Sequence, residues 1–280
     1  PIVQDMGYDF KFVCFSRDRA KPLHIMELLR DCSCEQPVYK IIDAFRIAIK
    51  SIRVIDEYEC WMREHIGFEV NQGECEALQQ KVMKALENTD SISEVNKIYR
   101  DCRISASGIQ LNMPDEPLRV GIVGELYTLM EPTSNFFLER QLARENIQVS
   151  RMMNLCFLLF GKSDRNSLKN AKPYLQFTVG ANGVDSVAQS LNYSSRDFDG
   201  ILHLKSFGCI PELNATPALM ELVQKKGIPL MQLSFDSQTS ETGMQTRLEA
   251  FCDMFRMRKE AKDAGAVKFG DRHRVGIHKG

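Results

Sequence analysis

The sequence predicts an α/β fold: a parallel sheet with helices on both faces, preceded by a mostly helical segment. Three observations predict it. Residues 200–204 form a short apolar run suited to a buried strand, and a second such run fills 228–235. Between them, Leu213, Leu219, Leu222 and Val223 recur at helical spacing, and a further helix is expected over 242–257. Strand, helix, strand, helix joined by short links makes a βαβα unit with parallel strands, which is the ground for a Rossmann-like or flavodoxin-like architecture. Residues 118–126, L-R-V-G-I-V-G-E-L, supply another buried parallel strand directly after N-M-P-D-E-P, the clearest boundary in the chain. The boundary divides a mostly helical segment, 1–112, read as the end of a truncated N-terminal domain, from an α/β domain, 113–280.

Before the boundary, residues 8–15 alternate as a strand does and 21–30 read as a helix. Residues 38–65 form a long amphipathic helix, with Ile41, Ile42, Phe45, Ile49, Ile52 and Ile55 three and four residues apart. Helices over 74–86 and 91–102 follow, the second opened by a capping box of Ser91 and Glu94. After it, the pattern predicts a helix at 136–145, a strand at 148–153, an apolar stretch at 156–160, a polar basic loop at 162–172 and a helix from near Val184. The helix after residue 213 ends on Lys225, Lys226 and Gly227, cations in the last turn with glycine beyond.

Composition narrows the function classes. The chain has 280 residues, 44% hydrophobic and 26% charged, the proportions of an ordinary globular protein. A net charge of -1 gives no electrostatic case for nucleic acid or for a membrane surface. No apolar run approaches the ~20 residues that span a bilayer. Nine cysteines, scattered and odd in number, make no compact disulfide framework, so a reducing cytoplasm is expected. Cys32 and Cys34 lack a second close pair to complete a zinc set and read as plain thiols. Pro1, in mid-pattern where a Met would start a chain, is expected of a fragment or a processed product.

Ligands of parallel sheets gather at the carboxyl ends of the strands. Glu125, Cys209, Glu212, Asp236 and Glu241 all fall there. G-x-x-G-E at 121–125 is not a dinucleotide fingerprint, because the third glycine and the helix start are misplaced, and there is no P-loop. Gly180 and Gly183 precede a helix whose free amides favour an anion, such as a phosphate of coenzyme A; a simple tight turn is the alternative. His203, inside an apolar strand, reads as a hydrogen-bonded core residue rather than a ligand or base. Glu212 is open to two roles, capping its helix or touching substrate.

F-D-G-I-L-H-L-K-S-F-G-C-I-P-E at 198–212, with G-I-P-L-M-Q-L-S-F-D and T-R-L-E-A-F downstream, resembles the C-terminal half of the 2-hydroxyacyl-CoA dehydratase/benzoyl-CoA reductase superfamily, most closely its activase-associated branch. The resemblance is dense over 118–255. It implies stacked Rossmann-like domains with a 4Fe–4S cluster between them, fed with low-potential electrons by an ATP-dependent activase-type partner. The chemistry implied is radical-type reduction or dehydration of an acyl-CoA. Cys209 matches the family's last cluster cysteine. A thiolate beside a helix start is expected to have a lowered pKa, Gly208 to let sulfide approach, and Pro211 to suit the first helical turn. Glu125, Gly183 and Glu212 are the expected substrate contacts. The family's N-terminal cysteines have no counterpart here, and Asn182 stands where the family often has histidine. A dimer is open to such a chain. The alternative from another class is a non-catalytic Rossmann-like module that binds a ligand or packs against a larger activase-related protein.

Overall fold

The structure, a computed structural model, describes residues 5–7, 36–160 and 164–263. The strand expected at 8–15, the helix at 21–30, and Cys14, Cys32 and Cys34 lie outside the described residues.

Among the described residues three helices precede the sheet: α1 (Val38–His65), α2 (Glu74–Glu87) and α3 (Ile92–Gly108). They close on a core of their own, Val54, Tyr58, Leu78, Val82, Val95, Cys102 and Ala106. Ser91 caps α3 by accepting from the Glu94 amide at 3.2 Å, while the Glu94 carboxylate accepts from the Asp90 amide rather than from Ser91. The expected capping box is therefore half formed.

The sheet then builds from β1 (Leu118–Gly124), the short α4 (Leu126–Met130), a 3-10 turn (Pro132–Asn135), α5 (Leu138–Arg144) and β2 (Ile147–Arg151). It continues through α6 (Leu155–Phe160), α7 (Asp164–Ala171), α8 (Gly183–Ser194), β3 (Gly200–Ser206), α9 (Ile210–Lys226), β4 (Leu230–Phe235) and α10 (Glu241–Asp263). All strands pair in parallel, in the order β2-β1-β3-β4. That order is the flavodoxin-like one, whose switch point falls between β1 and β3. One face is covered by α5 and α10, through Leu138, Leu142, Leu248, Phe251 and Phe255 against Val120, Ile122, Leu202 and Leu204. The other is covered by α8 and α9, through Val184, Val187, Ala215 and Leu219 against Val123 and Ile201. The α/β class and the helices on both faces are as expected.

Local departures have physical causes. Phe136 and Phe137 both take left-handed backbone, each at φ 56°, so the helix expected from residue 136 starts only at Leu138. The apolar 156–160 stretch is helical, and the polar loop expected at 162–172 contains α7. Helix α9 runs through Pro217, which the amphipathic pattern alone does not reveal. It ends on Gly227 at φ 65°, the left-handed C-cap predicted from sequence.

Candidate functional site at the carboxyl end of the sheet

Strands β1 and β3 run side by side to the switch point, with Gly124 opposite Leu204. There the backbones come so close that a Cβ on Gly124, at φ +144°, would lie 1.8 Å from the Leu204 carbonyl oxygen. The Glu125 amide donates to that same carbonyl at 2.9 Å and turns the chain over the sheet edge. The Glu125 carboxylate then caps α4: one oxygen accepts from the Tyr127 amide at 2.8 Å, the other from the Thr128 amide at 2.9 Å and hydroxyl at 2.6 Å.

Across the crevice β3 ends at Ser206, the chain turns through Phe207 and Gly208, and Cys209 becomes the N-cap of α9. Its amide donates to Ser206 O at 3.2 Å and its carbonyl accepts from the Leu213 amide at 3.0 Å. Pro211 sits in the first helical turn, where its missing N–H goes unneeded. A Cβ on Gly208 would meet no neighbouring atom, so the space beside the thiol is open. The half-buried Cys209 thiol is not activated as the helix start suggested. Burial pushes its pKa up and the Glu212 and Glu125 carboxylates add to that, while the Glu212 amide and the Lys205 ammonium oppose the rise without cancelling it. The expected lowering is thereby corrected: burial, the largest influence, together with the two carboxylates outweighs the amide donor at the helix start.

Beneath the rim lies a buried polar network. Glu212 is fully buried; its Oε1 accepts from Ser186 Oγ at 3.1 Å and its Oε2 lies 2.8 Å from His203 Nε2. Gln232 Nε2 donates to His203 Nδ1 at 3.0 Å, which leaves the imidazole proton on Nε2 to donate to Glu212. His203 is thus the hydrogen-bonded core residue expected. Gly183 opens α8 against α9, where a Cβ would fall 2.4 Å from the Pro211 carbonyl oxygen. Asp236, after β4, accepts from the Gln238 amide and the Thr239 hydroxyl, each at 2.9 Å.

All four singled-out residues, Glu125, Gly183, Cys209 and Glu212, therefore converge on one corner of the sheet, two on the rim and two in the frame below. Sequence reasoning missed Lys205, whose stem is buried at the end of β3, and the partners Ser186 and Gln232. One trace of them was present: His203 and Gln232 are polar interruptions at register-matched positions of two apolar strands. Among the described residues no group of three or more His, Cys, Asp or Glu side chains could hold a metal ion.

Fold and rim together define a doubly wound α/β protein with a thiol at the switch point of its sheet. Residues 185–255, about a quarter of the chain, match the family model of the 2-hydroxyglutaryl-CoA dehydratase D-component. The match runs from the first turn of α8 into α10 and includes Cys209 and Glu212. In its C-terminal α/β portion the chain is thus dehydratase-like, similar to the 2-hydroxyacyl-CoA dehydratase superfamily. No curated protein matches the chain.

Proposed function

We propose that the chain is part of an iron–sulfur redox protein of the 2-hydroxyacyl-CoA dehydratase kind, with Cys209 giving one thiolate to a 4Fe–4S cluster. The observation that carries this reading is the family match over 185–255, which takes in a half-buried cysteine standing at the switch point of the sheet. In this reading an ATP-dependent activase-type protein or domain delivers low-potential electrons, an acyl-CoA is the substrate, and the cytoplasm is the compartment. When bound, the cluster supplies one-electron chemistry. Cys209 is one donor of a set that the described residues do not complete. The chain's own part is structural and electrostatic. Cys209 would bind as the thiolate, its proton released to solvent, and the metal's attraction for sulfur would offset the raised pKa of the free thiol. Glu125 faces the substrate side of the rim, and Gly183 and Glu212 hold α8, α9 and β3 in the spacing that presents the thiol.

A second reading, the non-catalytic ligand-binding or interaction module, is favoured by one observation. The Glu125 and Glu212 carboxylates are both engaged in internal hydrogen bonds rather than presented as a free acid/base pair. Anaerobic iron and sulfide analysis with electron paramagnetic resonance on the complete gene product and its Cys209→Ala variant separates the two. About four irons per chain in the parent, and a clear loss in the variant, is the expected result. Absence of iron from both after reconstitution would leave the module reading standing.

A further inference from the structure

A sizeable cleft lies away from the rim. It opens on the helical segment, between α1, α3 and the residues that lead from β2 into α6, and encloses about 810 Å³. Its lining combines Trp61, Tyr99 and Phe160 with two guanidinium groups, Arg53 and Arg103. Arg53 lies over the Phe160 ring at 5.2 Å and Arg103 over the Tyr99 ring at 5.8 Å. Neither forms an ion pair with a described residue. The acids of the cleft are engaged: buried Asp56 accepts from the Cys156 amide, and Glu57 accepts from the Tyr99 hydroxyl. Two planar cations held over aromatic faces, with no carboxylate of a described residue within ion-pair distance, are complementary to a flat ligand carrying negative charge. The volume falls in the range of small-molecule sites, roughly 300–1,000 Å³.

We propose that this cleft binds a planar aromatic anion, its ring against Trp61 and Tyr99 and its acidic group between Arg53 and Arg103. The site is separate from the rim around Cys209 and stands or falls independently of the cluster.

Two features of the cleft make the test local. Trp61 is the chain's single tryptophan, so its fluorescence reports on this place alone. Cys60, exposed on the lining, can be followed by site-mapped alkylation. The probe is 8-anilino-1-naphthalenesulfonate, with uncharged N-phenyl-1-naphthylamine as its control. Saturable quenching of Trp61 by the sulfonate is expected, with iodoacetamide labelling of Cys60 slowed and that of Cys209 unchanged. The exposed pair Arg53→Ala/Arg103→Ala should weaken sulfonate binding by about tenfold or more while leaving the neutral probe and the thermal unfolding midpoint as in the parent. Equal sulfonate affinity in parent and double variant would overturn the proposal, as would protection of Cys209 in place of Cys60.

Discussion

A carboxylate taken wholly out of water needs a donor on each oxygen, and Glu212 has one on each, from Ser186 on α8 and His203 on β3. Gln232 and Thr216 complete the chain of bonds, so five side chains from two helices and two strands share one buried network. Removing its centre leaves the hydroxyl and the imidazole N–H unmet, each costing about 1–3 kcal/mol. Glu212→Ala is therefore expected to lower the urea-unfolding free energy by about 3 kcal/mol. Glu212→Gln should lose clearly less, because its amide oxygen still accepts one of the two bonds. Equal stability of Glu212→Ala and the parent would show that the network is not what fixes α8 and α9 to β3. The same neighbourhood bears on Cys209: burial raises the thiol's pKa first, and the carboxylate that the network requires adds to the rise.

At the scale of elements, the two helices that bear the site meet at a glycine. Gly183 lets the first turn of α8 approach Pro211 at the first turn of α9, and any side chain there must push the Pro211 carbonyl aside. Gly183→Ala should cost about 2 kcal/mol through overpacking, read as a drop in the denaturant midpoint without a change in slope. An unchanged midpoint would remove the close approach and return Gly183 to a purely ligand-facing role. The strands of this unit were legible in sequence because a buried parallel strand is a short apolar run, and β1, β3 and β4 are such runs bounded by turns. The corner with Cys209, Glu125 and Glu212 was legible for the same reason, since strand ends fix where a rim must be. What the sequence hid depends on contacts between distant segments. Phe136 and Phe137 adopt left-handed backbone where a 3-10 turn and α5 both pack on the sheet, and the Phe136 ring centroid lies 6.2 Å from that of Phe235 on the same face. Helix α7 is short and polar on average, and only Leu168 and Ala171, three residues apart, carry it into the α8–α9 core, too little signal to set it apart from a polar loop. The thiol's raised pKa comes first from burial, which tertiary packing sets and no spacing in the chain states.

Across the whole molecule the helical segment and the sheet are joined by a charged latch. Arg63, at the end of α1 and only 4% exposed, donates through Nε to Glu139 Oε2 at 2.9 Å and is also paired with Glu59 at 2.9 Å. Arg151, the last residue of β2, donates to the other Glu139 oxygen at 2.6 Å. Around the latch the surfaces are close: a Cβ on Gly67 would lie 2.1 Å from the Ala143 carbonyl oxygen, and Gln148 Nε2 donates to Glu64 O at 3.1 Å. We therefore expect the segments on either side of residue 112 to unfold together rather than as two independent domains. Burial alone would raise the Glu139 pKa, but the two guanidinium groups outweigh it and hold the carboxyl below its ordinary value. A carboxyl with a lowered folded pKa stabilises the fold above its unfolded pKa, and that stabilisation is lost as pH falls through the folded one. Glu139→Gln leaves buried Arg63 and Arg151 short of a counter-charge and should cost about 3 kcal/mol at pH 7. The difference between parent and variant should hold steady down to about pH 4.3, the ordinary glutamate value, and narrow only below it. Urea titrations of both proteins across pH 3 to 8 read this directly. A difference already gone at pH 6, or two separate transitions in the parent, would mean that the latch does not couple the helical segment to the sheet that carries Cys209.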